Sequence, residues 1–383
     1  MVYMYKLIRG AEIYAPDKKG VCSILIYGDR IVDLYPSGRS PVLPTADVEV
    51  IEAKGLIAIP GLIDQHVHTI GGGGEAGPVS RIKHLSAEEC LLDGVTTVVG
   101  LLGTDSTTKS VRELVAYTKE LNRSGLDAYC LTGAYDYPSP TVMGNVRDDI
   151  VFINEIIGVK LAIADHRSSY PTSDEIIKLA VQARNGGLIA GKAGYVHLHV
   201  GKGKSGLGHI FEALDASDLP VSIFRPTHAE NQLADMVRFG RAGGYVDFTA
   251  GGDPEQCAAA VTDMLEQIEP HLITASSDAN GSIPVWGTDG GLAGMAKSRV
   301  SSMSELLSIL VKKHNHALER ALPILTANVA RALGIDNAVG TLRPGSLANI
   351  ALISPDLAVR DVISKGNRLI RDGQSTVAPY FLP

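Results

Sequence analysis

Cysteine is scarce in this chain: four residues in 383, Cys22, Cys90, Cys130 and Cys257, scattered and with no C-x-x-C pair. Three of them sit in apolar or helical patterns and read as small core residues of a reducing compartment, not as a disulfide framework. Positive charge is also short. With 35 Lys and Arg against 42 Asp and Glu, the formal net charge is −7 and the pI about 5.9, and no long basic run occurs, which argues against a nucleic-acid partner. No apolar stretch is long enough to span a bilayer, so no membrane partner is expected. The segment Met1–Lys6 lacks the basic and apolar regions of a secretory leader. Charged residues make up only 20% of the chain and hydrophobic ones 45%, enough for a large core. These limits lead to the expectation of a soluble, cytoplasmic globular protein.

What is present has two textures. Short strand-like runs broken by turns fill the first 55 residues (5–9, 20–27, 30–35 and 48–52), with Gly28-Asp29 as a hairpin signal. The same texture returns at 348–353 and 359–363. The middle alternates strand and helix. An apolar run, 56–63, reads as a buried opening strand, and seven more candidates follow at 95–100, 128–133, 156–161, 195–200, 221–227, 245–249 and 272–278. Eight strands with intervening helices is the pattern of a (β/α)8 TIM barrel. The fold expectation is therefore α/β: a barrel over 58–337 and a small β-sandwich domain built from both chain termini, 1–57 and 338–383.

Polar residues at strand ends favour a closed barrel over an open doubly wound sheet, because a barrel aims them at one axis. His66 and His68 alternate onto one face at the end of the first strand, a natural pair of metal ligands. Lys160 lies in the fourth strand, His199 in the fifth, His228 just past the sixth and Asp278 at the end of the eighth. His197 shares the face of His199, and position nearer the strand end favours His199. A buried lysine is readily neutral and then nucleophilic toward carbon dioxide. The carbamate so formed could bridge two metal ions. Four glycines, Gly71 to Gly74, permit a sharp turn that delivers Glu75. The G-K-S triplet in 201–206 fails the Walker spacing, since Leu198 stands where a glycine is required, and reads as a mobile loop.

With these residues assembled, the chain resembles the amidohydrolase superfamily. The stretch 61–68, its continuation Gly71-Gly72-Gly73-Gly74-Glu75-Ala76-Gly77-Pro78, the triplet Pro226-Thr227-His228 and the segment Ser276–Ser282 resemble the isoaspartyl dipeptidases within it. The resemblance implies two zinc ions, one on His66, His68 and Asp278 and one on His199 and His228, bridged by carbamylated Lys160. It implies roles for Glu75, Thr104, Tyr135, Arg167 and Ser282 in holding an isoaspartyl dipeptide, and it implies a homo-oligomer. The family's arginine for the substrate carboxylate corresponds here to Asn231. In such a centre a metal-bridging hydroxide attacks the amide, Tyr135 donates to the oxyanion, Asp278 carries the proton and Glu75 faces the free amine. Arg167 offers a bidentate fork to a carboxylate, and the segment from Tyr135 to Asp149 reads as a lid. Other expectations remain open: a cyclic amidase such as a hydantoinase, an N-acyl amino acid deacylase, or a metal-free scaffold.

Overall fold

Alternating strands and helices organise the centre of the chain, which this computed structural model describes, overall, for residues 5–39, 41, 48–286 and 292–377. The outermost residues of the expected terminal domain, including 1–4 and 378–383, lie outside these ranges. Six strands form one curled parallel sheet in sequence order: β1 (Leu62–Val67), β2 (Val95–Gly100), β3 (Asp127–Gly133), β4 (Ile156–Ile163), β5 (Tyr195–Val200) and β6 (Phe224–Thr227). Every residue of β1, β2, β4 and β5 is buried, as parallel strands covered on both faces require. Then β7 (Val246–Thr249) and β8 (Ile273–Ser276) form a parallel pair. A bridge from Val67 to Ala279 brings the end of this run back to β1.

Side chains hold the two ladders together where backbone pairing is sparse. Asp247 on β7 is 2% exposed and accepts from Gln65 Nε2 (2.6 Å), Thr227 Oγ1 (2.7 Å), Thr274 Oγ1 (2.8 Å) and Ser276 Oγ (2.6 Å). Those donors come from β1, β6 and β8. Asp64 on β1 accepts from the Ser277 backbone N–H at 3.1 Å and from the Ser277 hydroxyl. Burial raises the carboxyl of Asp64 to about 7, against the lowering effect of Ser277. Such groups are tolerated inside because their hydrogen bonds are satisfied.

Helix ends follow local rules. Thr172 and Glu175 form a capping box at the start of Ser173–Ala190, and Gly191 at φ 65° ends that helix in the left-handed region. Asp174 and Glu175 stand in its first turn, where acids favour the helix N-terminus.

Two expectations change, and a third gains detail. The apolar run 56–63 is not one strand: Ile57–Pro60 pairs with the terminal sheet, β1 starts at Leu62, and Gly61 joins them. A Cβ on Gly61 would lie 2.2 Å from Thr96 Oγ1, so only glycine fits that crossing. The runs at 221–227 and 272–278 begin as 3-10 turns after or at Pro220 and Pro270, leaving four-residue strands. Finally, the strands from both chain ends are hydrogen-bonded into one branched sheet of nine strands. Its first strand, Tyr5–Tyr14, pairs with Val48–Glu52 through one half and with Ile57–Pro60 through the other. One core cluster draws on both ends of the chain, including Ile8, Ile24, Ile350 and Ile363.

Candidate metal centre and substrate site

The ends of β1, β4, β5 and β6 and the turn after β8 converge on one buried cluster. His66 Nε2 and His68 Nε2 lie 3.2 and 3.1 Å from the same oxygen, Oδ1 of Asp278. That oxygen is buried and makes no well-oriented hydrogen bond among the described residues. Lys160 Nζ is 3.4 Å from His66 Nε2. One donor atom each of His66, His228 and Asp278 lies within 4.8 Å of the others. The rings of His199 and His228 are 4.6 Å apart, centre to centre. The structure thus brings together all six strand-end residues singled out from the sequence.

Two nitrogens converging on one carboxylate oxygen, with no proton well placed between them, is an arrangement that a divalent cation satisfies. Protonation states agree. Burial pushes His66 down to about 3 and His199 to about 4, and holds His228 well below its usual value. The imidazoles are therefore neutral, as ligands must be. Burial alone would raise the Asp278 carboxyl, but His66 and His68 beside it hold it well below the carboxylate range. Burial brings the Lys160 ammonium down to about 7. His228 and Asp278 adopt φ of 61° and 52°, in the left-handed region that non-glycine residues seldom occupy. Such strain concentrates at functional sites.

His197 and His199 separate cleanly. In register, His197 is level with Lys160 and His199 with Ala162. His197 Nε2 lies 3.0 Å from His66 Nδ1, so it orients that imidazole from one layer below. His199 Nδ1 is 2.8 Å from the Tyr135 hydroxyl, and its Nε2 is 2.8 Å from Asp165 Oδ2. Asp165 was missed in the sequence, although an acid two residues past β4 obeys the same strand-end rule. Its carboxylate, held low by His199 and Arg167 despite burial, takes Arg167 Nε and Nη2 at 3.0 and 2.9 Å. The Arg167 fork therefore engages Asp165 rather than standing open.

Glu75 stands at the end of the glycine turn, its side chain 24% exposed. Oε1 accepts from Ser282 Oγ at 3.0 Å and Thr104 Oγ1 at 3.4 Å, and lies 3.5 Å from Arg167 Nη1. Oε2 has no partner among the described residues. Asn231 turns away from any such role: its Nδ2 donates to Val200 O at 2.9 Å. The segment foreseen as a lid is folded onto β3, with Pro140 O accepting from Gly133 N–H, and buried Asp149 accepting from Val142 and Met143 N–H. The 201–206 loop is pinned by Gln232, whose Nε2 donates to Gly201 O and Gly203 O.

A match to the amidohydrolase family spans residues 57–369. Among solved structures, a beta-aspartyl dipeptidase from Fervidobacterium islandicum AW-1, in complex with the beta-Asp-Leu dipeptide, superposes with a TM-score of 0.91. It is 34% identical, covering 99% of this chain and 100% of that one. An N-acetylglucosamine-6-phosphate deacetylase from Pasteurella multocida, 16% identical with a TM-score of 0.64 over 95% of this chain and 99% of that one, shares the fold. An adenine deaminase of Desulfotalea psychrophila is 23% identical over 94% of this chain, which spans 55% of that relative's length.

Proposed function

The chain belongs to the amidohydrolase family, and from that premise we propose that it is a metal-dependent dipeptidase hydrolysing the β-aspartyl bond of isoaspartyl dipeptides. The observation that carries this reading is Glu75: one carboxylate oxygen held by Ser282 and Thr104, the other open beside the buried cluster. An open carboxylate there suits the free α-amine of an isoaspartyl residue, which a cyclic amide or an N-acyl substrate lacks. The full-length likeness to a dipeptidase solved with beta-Asp-Leu supports the same assignment.

Two divalent ions would be held by His66, His68 and Asp278 and by His228 and His199, with a carbamylated Lys160 as a further ligand; His199 would first have to release one of its two present partners, Tyr135 or Asp165. When bound, such ions polarise a carbonyl and lower the pKa of water toward neutrality. The protein's own groups do the rest. Burial raises the Tyr135 phenol well above its usual value, so it stays protonated and can donate to an oxyanion. Asp278, kept ionised, accepts a proton and returns it to the departing nitrogen. Arg167, fixed by Asp165, presents its remaining N–H groups to a substrate carboxylate. With its ammonium brought down to about 7, Lys160 offers at neutral pH a share of the free amine to which carbon dioxide would add, releasing one proton as the carbamate forms.

The same reading closes the six-strand sheet and the β7–β8 pair into one eight-stranded barrel over 58–337, with 1–57 and 338–383 as the second domain. No described helix is long and apolar enough to cross a membrane, and four buried free thiols suit a cytoplasmic enzyme. Exposed Phe152, Leu188 and Ile189 offer apolar surface for a homo-oligomer. The test is hydrolysis of β-Asp-Leu beside α-Asp-Leu, N-acetyl-β-Asp-Leu and hydantoin. Turnover confined to β-Asp-Leu is expected, and equal rates on the acetylated peptide would remove the amine-pairing role of Glu75.

A further inference from the structure

At the opposite end of the strands from the His/Asp cluster lies a cavity of about 200 Å3. Ala193, two residues before β5, and Ser222 and Ile223, just before β6, form part of its wall. Arg184, Lys192, Arg225 and Arg331 all line it and no aspartate or glutamate does, in a chain of net charge −7.

Two of these cations are fixed by the fold. Arg225 is only 7% exposed and has no carboxylate partner among the described residues. Its Nε and Nη2 donate to Ala332 O at 3.3 and 2.9 Å, and its Nη1 to Phe224 O at 3.1 Å and to Ser222 O. The rings of Tyr245 and Tyr195 lie 4.7 and 5.5 Å from its Cζ. Lys192 gives its ammonium protons to the carbonyls of Ile150, Ile153 and Ile156 at 2.6, 2.6 and 3.0 Å. Carbonyls satisfy hydrogen bonds but supply only partial charge, about half an elementary charge at a helix C-terminus. The other two are unengaged. Half-buried Arg184, on Ser173–Ala190, and exposed Arg331, on Ala327–Leu333, make no hydrogen bond or ion pair among the described residues. The desolvated charge is that of Arg225, whose donors meet carbonyls but no counterion, and a bound anion would supply one.

We infer that this cavity is a binding site for a small, multiply charged oxyanion: inorganic phosphate or the phosphate group of a phosphomonoester. Four cations around one cavity exceed what a single carboxylate balances, and guanidinium forks pair well with phosphate oxygens. The ammonium of Lys192 and the guanidinium of Arg225 set a positive floor, while Arg184 and Arg331 supply the free donors.

The test titrates inorganic phosphate into the full-length, metal-loaded protein at constant ionic strength, balanced with chloride, and follows thermal melting and heat of binding. A saturable rise in melting temperature of about 2 °C or more is expected at millimolar phosphate. Phosphate can also reach a metal centre, so the decisive quantity is the difference between the native chain and an R184Q/R331Q variant. That variant should bind phosphate at least about tenfold more weakly, with metal content and far-UV circular dichroism unchanged. Glycerol 3-phosphate in a parallel titration assigns the source: tighter binding than phosphate, lost in the same variant, supports the site and makes its ligand an organic phosphate. Equal phosphate binding by both proteins, or aspartate binding at this site in preference to phosphate, overturns the inference.

Discussion

Replacing Lys109 by methionine isolates what holds the glycine turn in place. Lys109 is 6% exposed, and its ammonium donates to Gly72 O at 3.1 Å and to Gly71 O. Burial lowers its pKa. The two carbonyls belong to a turn with little freedom elsewhere. Gly71 N–H donates to His68 O at 2.7 Å and Gly72 N–H to Asn280 O at 2.8 Å. Gly71 and Gly73 adopt φ of 76° and 77°, and a Cβ on either would lie 2.0 Å from Ile82 O or 2.2 Å from Ser80 O. Lys109 therefore acts as the central fastener of the segment that presents Glu75.

Methionine keeps the length and apolar stem and removes both charged hydrogen bonds. Bonds of that kind contribute roughly 1.5–3 kcal/mol each, offset by no longer burying an ammonium, so a net stability loss of about 1–3 kcal/mol is expected. The larger effect should be on binding. If Glu75 drifts from the substrate amine, one charge-assisted contact of roughly 1.5–3 kcal/mol is lost, and KM for β-Asp-Leu rises about 10- to 100-fold. Because His66 and His68 sit on and next to β1, kcat and metal content should stay within about threefold of the native values. Steady-state kinetics, metal analysis and urea unfolding report all three. A fall in kcat at unchanged KM, or an unchanged KM in a measurably destabilised variant, refutes the idea that Lys109 positions Glu75.

Three other outcomes are expected. Lys160→Ala should lose most bound metal and activity, with partial rescue by short carboxylic acids; full metal occupancy with normal turnover sinks the bridging role. Asp247→Ala strands four donors, at 2.6–2.8 Å in the native chain, and should cost on the order of 3–5 kcal/mol in urea unfolding; a loss under about 1 kcal/mol means the network is not what joins β6, β7, β8 and β1. Asn231→Arg gives up the bond to Val200 O and introduces a guanidinium, so KM for β-Asp-Leu should tighten about tenfold while that for β-Asp-Leu-NH2 hardly moves; equal change on both substrates means position 231 does not face the carboxylate.

The period of the apolar pattern made the parallel strands legible, because a strand buried on both faces must be apolar nearly throughout. What periodicity cannot convey is where one ladder stops and another starts. The run 56–63 is uniformly apolar, yet it changes sheets at Gly61, where Thr96, 35 residues away, leaves no room for a side chain. The same limit governs the terminal domain. Strands at both ends could be recognised one by one, but that they join into one ladder depends on the two-sided pairing of Tyr5–Tyr14. That is a tertiary choice, and no local signal encodes it.

The candidate site divides along a similar line. His66, His68, His199, His228 and Asp278 could be picked out because each stands at or just beyond a strand end, and Lys160 because a lysine inside an apolar strand is anomalous. Their supporting partners obey no such rule. His197 differs from His199 by one strand period, and only the register that levels it with Lys160 assigns it to the deeper layer behind His66. Lys109 reads as an ordinary surface lysine in a polar stretch until the glycine carbonyls are seen folded over it. Asp165 is the instructive case. It obeys the strand-end rule but stands beside Arg167 in a polar stretch, and it links His199 to that arginine and so to Glu75. Residues that would touch a metal or substrate announce themselves by being polar where apolar residues belong. Residues that hold them in place are polar where polarity is unremarkable, and it takes the fold to pair them.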